Sequence, residues 1–226
     1  MAEFYTIHPD NPQPRTVNEV VAALKAGKII LYPTDTVYAI GCDLRVKSAI
    51  QRVRALKQMA NDKPLTFLCD SLSNIADYAH VSDGAYRVIK RLIPGPYTFL
   101  LPATKAVPRL VLSPKRRTTG IRVPDAPLCL ALVAALKNPI VSTSALSLID
   151  CSRAPKDWTE DWKTDSAHLS KAELFDRMTG QVDVIVDNGR DLTYQVSSIL
   201  DLTVDFPTLV RQGLGAEAAI AWGVTP

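Results

Sequence analysis

Residues 29–41, Ile29-Ile30-Leu31-Tyr32-Pro33-Thr34-Asp35-Thr36-Val37-Tyr38-Ala39-Ile40-Gly41, set the terms on which the rest of the chain is read. The apolar run Ile29 to Tyr32 predicts a short buried strand that stops at Pro33. Two hydroxyls and a carboxylate follow at once, Thr34, Asp35 and Thr36, and then the Tyr38 hydroxyl and Gly41. Polar side chains packed against the end of a buried strand are where α/β proteins place ligand contacts. The same residues also read as a turn capped by Thr and Asp. The segment alone leaves both readings open.

Working outward, Thr16-Val17-Asn18-Glu19 has the capping-box pattern. Val17, Val20, Val21 and Leu24 follow at helical spacing before Gly27 closes the helix. Val46, Ala49, Ile50, Val53 and Leu56 mark a second amphipathic helix, with Arg52, Arg54 and Lys57 pointing away from its apolar side. Leu65 to Leu68 predicts a strand, Ser71 to Ala79 and Ser82 to Ile93 predict helices, and Pro94-Gly95-Pro96 a turn before a strand at Thr98 to Leu101. Asp125 is placed to cap a helix running to Leu136, ahead of a strand at Ile140 to Thr143. Residues 147–169 are polar, carry Trp158 and Trp162, and read as a long loop or insertion. Ser170-Lys171-Ala172-Glu173 is a second capping box, opening a helix towards Met178. Val182 to Val186, Ser198 to Leu202 and Leu209 to Arg211 read as closing strands. Helices and strands intermix without the strict alternation of a doubly wound sheet. The expectation is therefore a single α/β domain around a mixed, twisted sheet.

The 226 residues suffice for one large domain or two small ones, and 47% hydrophobic with 22% charged residues describes an ordinary soluble globular protein. Lys plus Arg is 26 against Asp plus Glu 23, a net charge of +3, too mild to imply nucleic-acid binding from composition. The longest apolar runs fall far below membrane-spanning length, and Met1-Ala2-Glu3-Phe4 does not open a signal sequence. A cytoplasmic location without a membrane partner is expected. Cys42, Cys69, Cys129 and Cys151 form no C-x-x-C pair and are expected as free, mostly buried thiols. With His8, His80 and His168 as the histidines, no His/Cys metal cluster with recognisable spacing can be assembled.

Neither a G-x-x-x-x-G-K-[ST] loop nor a G-x-G-x-x-G turn is present, and there is no G-x-S-x-G elbow. What remains are polar groups at strand ends: Thr34 to Tyr38, Lys57 and Lys63, Thr118 to Arg122, Ser142 to Ser144, Ser197-Ser198 and Arg211. Such a set binds an anionic ligand through charge-assisted hydrogen bonds without a dedicated loop. In order, the blocks are PTDTVYAIG at 33–41, Lys57 with Lys63-Pro64-Leu65, PGPYT at 94–98, GIRVP at 120–124, STSA at 142–145, SSILDLT at 197–203 and VRQG at 210–213. Together they resemble the YrdC/YciO family from about residue 15 to 215, and the opening FYTIHPDNPQPR resembles its YciO branch.

The resemblance implies a YrdC-like α/β domain with a twisted sheet and a concave, basic face. It implies a threonylcarbamoyl-AMP synthase type of activity, in which L-threonine, bicarbonate and ATP give threonylcarbamoyl-adenylate and pyrophosphate for tRNA modification, with Mg2+ as counter-ion. Carried over by position, it implies that Thr36, Arg122 and Ser142 hold threonine, with Ser197 hydrogen-bonding at the junction. Lys57, Lys63 and Ser144 would face the phosphates, and Thr118, Ser152 and Arg211 would line the nucleotide. The synthase pattern has an Arg two residues after the lysine and an Asn two residues after the serine; here these are Met59 and Leu146. Losing one preorganised donor costs about 2.7–4 kcal/mol in a transition state, so a weak or remodelled synthase is expected. Arg116 and Arg117 are possible substitutes, and Leu68 replaces a frequent His, which loosens threonine recognition. The alternative class is an RNA-binding protein, for tRNA, double-stranded RNA or the ribosome, which would use the run Lys115-Arg116-Arg117. A third reading is carbamoyl transfer like that of YrdC-type domains in hydrogenase maturation factors.

Overall fold

The computed structural model describes residues 1–57, 65–112, 117–145 and 170–226. The opening run pairs as a hairpin: β2 (Ile30–Tyr32) runs antiparallel to β3 (Ala39–Asp43), with Ile30 opposite Gly41 and Tyr32 opposite Ala39. Residues 33–38 are therefore the connection of a hairpin. β3 lies against β7 (Ile140–Ser144), and β7 against β4 (Thr66–Leu68), both antiparallel. Beyond β4 come β6 (Thr118–Arg122), β5 (Tyr97–Pro102), β9 (Ser198–Asp201) and β10 (Thr208–Arg211). On the other flank are β8 (Val184–Asp187) and β1 (Glu3–Thr6). Among the described residues one ten-stranded sheet results, in the order β1-β8-β2-β3-β7-β4-β6-β5-β9-β10. Parallel pairs (β1·β8, β2·β8, β4·β6, β5·β9) mix with antiparallel ones, as the intermixed sequence pattern predicts.

Alternation along the strands splits the core into two layers. One face of the sheet carries Leu31, Ile40, Phe67, Phe99, Ile121, Val141 and Leu200. It is covered by α2 (Lys47–Leu56), α3 (Leu72–Tyr78), α4 (Asp83–Leu92), α6 (Lys171–Met178) and α7 (Ala216–Ala221). The other face carries Ile30, Tyr32, Ala39, Leu68, Ile140, Val184 and Val186 under α1 (Pro14–Lys25) and α5 (Pro127–Leu136). No residue of β5, β6, β9 or β10 belongs to this second layer. Over those strands the second face is left bare by the described helices.

Several local expectations change. α1 starts at Pro14 after Gln13, with no side-chain cap, because proline's fixed φ already suits the first helical position. Thr16 therefore lies inside the helix, and the proposed Thr16–Glu19 capping box does not form its start. Pro127 likewise opens α5 after Ala126, so Asp125 is not the cap. Arg54 does not point away: it is buried, and its Nε donates to the Leu110 carbonyl at 2.6 Å. The Ser170 capping box forms with both reciprocal bonds, and Ser71 and Ser82 cap α3 and α4. Gly27 follows α1 at φ 82°. Strands β1 and β3 and helix α7 are additions to the sequence reading. The 147–169 segment, with Trp158 and Trp162, lies outside the described residues, as do Cys151, Met59 and Leu146. Cys42, Cys69 and Cys129 are free and buried, as expected.

Candidate functional site

Strand register places the predicted residues. Gly41, Ser142, Thr66 and Gly120 stand opposite one another across four neighbouring strands, and Leu68 stands opposite both Ile140 and Arg122. Leu68 and Ile140 belong to the layer under α1 and α5. By the two-residue period of a strand, Thr118, Arg122, Ser142 and Ser144 therefore share that face. Thr98 stands opposite Ile199, and Ile199 opposite Arg211, which brings the far end of the sheet into the same face. Six of the predicted residues thus converge on one side of the sheet, at the border of its bare part: Thr118, Arg122, Ser142, Ser144, Ser197 and Arg211.

Three clusters of hydrogen bonds organise them. In the first, Arg122 at the end of β6 pairs through Nη2 with Asp35 Oδ1 at 2.6 Å, both side chains only 9% exposed. Asp35 Oδ2 also accepts the Asp125 backbone N–H at 3.1 Å. The turn that presents Asp35 is itself braced. Thr34 Oγ1 donates to the Val37 carbonyl at 2.7 Å and accepts the Thr36 N–H at 3.1 Å. The Cys129 thiol, its pKa pushed up by burial and by Asp35, donates to the Pro33 carbonyl at 3.2 Å. Thr36 is buried within this turn, its hydroxyl 3.2 Å from that of Thr34.

In the second cluster the buried Tyr32 and Ser142 hydroxyls share a hydrogen bond of 2.7 Å. Burial raises the Tyr32 pKa well above its usual value, with Cys129 adding and Ser142 opposing, so the phenol stays neutral. The bond requires the Tyr32 ring to cross Gly41: a Cβ there would meet Tyr32 Cε1 and Ile140 Cγ2, each at 2.7 Å. The glycine that ends the opening stretch is thus a space requirement of the site.

The third cluster joins Ser197, Thr98 and Arg211. Ser197 Oγ lies 3.1 Å from Thr98 Oγ1, and Arg211 donates to the Ser197 carbonyl from Nε (3.1 Å) and Nη2 (2.6 Å). Among the described residues no carboxylate pairs with Arg211. Burial of the guanidinium and the nearby charge of Arg122 both push its pKa down, the electrostatics of a place that favours an anion.

Lys57, the residue that ends α2, donates from Nζ to the Ser144 carbonyl at 2.7 Å and so stands at the end of β7. Thr118 is buried at the start of β6, two residues from Gly120 and four from Arg122. Lys63 and Ser152 lie outside the described residues. Of the run Lys115-Arg116-Arg117, Arg117 alone is described, exposed and at φ 50°. Leu68 is fully buried beside Arg122. In the sequence Asp35 reads as a turn cap or one of a polar set, with no partner indicated, and Tyr32, Gly41 and Thr98 carry no sign of their partners either. Tyr32 looked like the last apolar residue of its strand, and nothing local says that its hydroxyl turns towards residue 142.

Among the described residues there is no group of three or more His, Cys, Asp or Glu able to hold a metal ion. No helix there is long and apolar enough to cross a membrane.

Comparison with known proteins gives consistent results. The Sua5/YciO/YrdC family model, described as "Telomere recombination", matches residues 22–213. The chain is 39% identical over 215 residues to the uncharacterized protein YciO of Escherichia coli (strain K12), covering 95% of this chain and 97% of that one. The crystal structure of E. coli YciO superposes with a TM-score of 0.82 at 37% identity, covering 97% and 99% of the two chains. Threonylcarbamoyl-AMP synthases match at lower identity. That of Vibrio vulnificus (strain YJ016) is 34% identical over 132 residues, 57% of this chain and 70% of that protein. That of Pyrococcus abyssi is 29% identical over 191 residues, 84% and 52%.

Proposed function

The chain belongs to the Sua5/YciO/YrdC family, and from that premise we propose that it is a threonylcarbamoyl-AMP synthase-like enzyme of reduced or altered activity. The observation that carries the proposal is the convergence of two guanidiniums, Arg122 and Arg211, with the Ser142, Ser144 and Ser197 ends of their strands, on one sheet face. The face divides into two sides. Arg122, Thr36 and Ser142 hold the amino acid, the guanidinium meeting its carboxylate. Lys57 and Ser144 face the phosphates, while Thr118 and Arg211 line the nucleotide and Ser197 joins the two sides through Arg211; Lys63 and Ser152, outside the described residues, are assigned to the phosphates and the nucleotide by the family pattern alone.

The chemistry asks for positioning and charge stabilisation, with no covalent enzyme intermediate. Threonine's amine combines with bicarbonate to give a carbamate and water. A carbamate oxygen then attacks the α-phosphorus of ATP, and the bond to the β-phosphate oxygen breaks to release pyrophosphate. Magnesium would travel on the nucleotide's phosphates, the usual way it reaches an ATP site. The protein works in the cytoplasm in this reading.

Purified protein incubated with ATP, magnesium, bicarbonate and L-threonine is expected to release pyrophosphate in a threonine-dependent way, more slowly than a synthase carrying the Arg and Asn absent here. Release no greater than that of a Lys57→Ala variant would refute turnover. If turnover is absent and RNA binds with an affinity falling steeply with salt, the face serves RNA instead.

A further inference from the structure

We infer that Asp35 is a positioning residue, whose carboxylate aims the Arg122 guanidinium so that its Nε–H meets the carboxylate of the amino-acid ligand. The inference rests on the amino-acid reading of this site and assigns the one charged group of the opening stretch that the reading leaves unused.

Arg122 Nε is shielded from solvent and has no hydrogen-bond acceptor among the described residues. A buried donor on a charged group is costly to leave unmade, and this one, beside the cleft on a guanidinium, is where a water, an ion or a ligand carboxylate would be taken up. Arg122 is 7% exposed, yet its Nη2 donates to Asp35 at 2.6 Å while its Nε has no acceptor among the described residues. An arginine side chain has four rotatable bonds and samples many geometries unless its far end is fixed. Asp35 supplies that fixed point.

A carboxylate does this where a hydroxyl or amide would not, because both of its oxygens are used. Oδ1 takes Arg122 Nη2, and Oδ2 takes the Asp125 N–H, which belongs to the loop leaving the strand that carries Arg122. The pair therefore ties the hairpin connection at 33–38 to the exit of β6. Asp35 is held in its turn from either side, through the Thr34 bonds to Val37 and Thr36 and the Cys129 bond to Pro33. The anchor is rigid before any ligand arrives, which is what precise recognition of a carboxylate needs.

The test uses the full chain, with Asp35→Ala, Asp35→Asn and Arg122→Lys variants. Calorimetry measures L-threonine and ATP affinities separately, well below each variant's melting temperature. Asp35→Ala should weaken threonine binding on the order of a hundred-fold, the scale of a misplaced reacting or binding group. Asp35→Asn keeps one acceptor and should lose about ten-fold, while ATP affinity stays within about two-fold in both variants. A purely structural Asp35 would lower the melting temperature and leave the threonine affinity of the folded protein unchanged. A second readout needs no variant to fold well. In wild-type protein labelled with 15N-arginine, the Arg122 Nε–H signal, identified by its loss in Arg122→Lys, should shift on saturation with L-threonine. Equal threonine affinity in wild type and both Asp35 variants, or an Nε–H signal that does not move at saturation, overturns the inference alone. Absence of threonine binding by the wild-type protein overturns the amino-acid reading, and this inference with it.

Discussion

Replacing Gly41 with alanine adds one methyl group where the structure has no room for it. The new Cβ would lie 2.7 Å from Tyr32 Cε1 and 2.7 Å from Ile140 Cγ2, and both neighbours are fully buried. Ile140 is β-branched and stiff, so the Tyr32 ring is the part that must move. Overpacking of this kind costs about 1–3 kcal/mol. Moving the ring also breaks the 2.7 Å bond between the Tyr32 and Ser142 hydroxyls, worth about 1 kcal/mol net. Against this, alanine is favoured over glycine inside a strand by about 0.5–1 kcal/mol, so the clash wins and the net loss is about 1–3 kcal/mol. For a chain of 226 residues that corresponds to a fall in Tm of about 2–12 °C. The assay is urea unfolding of Gly41→Ala, Tyr32→Phe and the double variant. If the ring is displaced, Tyr32→Phe costs about 1 kcal/mol in the wild-type background and close to nothing in Gly41→Ala. Effects that add within about 0.5 kcal/mol, or a Gly41→Ala protein as stable as wild type, would refute the link between the glycine, the ring and Ser142.

Other perturbations test other parts of the structure. A Cβ on Gly213 would meet the Val196 carbonyl oxygen at 2.5 Å and the Ser197 carbonyl carbon at 2.6 Å. Backbone cannot rotate away, so Gly213→Ala should cost about 2 kcal/mol or more and weaken ATP binding with it; a stable variant with normal ATP affinity would count against that site. Arg54→Met keeps the buried stem but leaves the Leu110 carbonyl without its donor, and about 1–3 kcal/mol should be lost from the urea unfolding free energy; an unchanged midpoint contradicts this. Burial pushes the Cys42 thiol up to about 12 from an ordinary 9.0 and raises Cys69 and Cys129 as well. Since the folded state keeps these protons while the unfolded state releases them, their contribution is complete below pH 9.0 and is lost as pH rises above it, for Cys42 up to about 12. Stability measured from pH 8 to pH 10.5 should therefore fall in the upper part of that range, and native protein at pH 8 should leave these three thiols unalkylated by iodoacetamide. Rapid labelling of any of them in folded protein would contradict the burial.

The parts of the fold that were legible in the sequence are those with a strong local signal. The apolar spacing of α1, α2 and α4, the serine caps of α3, α4 and α6, and the short apolar runs of β2, β4 and β7 all find their elements within one or two residues. β3 was not legible, because all five of its residues are buried. Without alternation, Ala39-Ile40-Gly41-Cys42-Asp43 carries no period of two. The helix starts were misplaced for a single physical reason. Pro14 and Pro127 fix φ at the first helical position and outweigh the nearby Thr16 and Asp125 as start signals. At the site, the residues named from the family blocks fall on one face because alternate positions along β6 and β7 were selected together. Their partners were not legible, since Tyr32 and Ser142 are 110 positions apart and Asp35 and Arg122 are 87. No local rule couples such pairs; the register of four strands does.

That register also bears on the two departures from the synthase pattern. Lys57 and Ser144 come from different elements, yet the lysine's ammonium bonds the serine's carbonyl at 2.7 Å. Met59 follows that lysine by two residues, and Leu146 follows that serine by two. In the proposed reading the missing guanidinium and the missing amide would both act on the phosphates, so their loss counts as one change of function. On the side proposed to hold the amino acid, Arg122, Ser142 and Thr36 are each held by a hydrogen bond, to Asp35, Tyr32 and Thr34. Restoring one donor alone should accordingly recover less than restoring both, because groups that act on the same charge are strongly non-additive. The pair Met59→Arg and Leu146→Asn, each alone and together, is expected to raise threonine-dependent pyrophosphate release most in the double variant, by more than the product of the single effects. A double variant no faster than wild type would show that the phosphate side differs from the synthases in more than these two side chains.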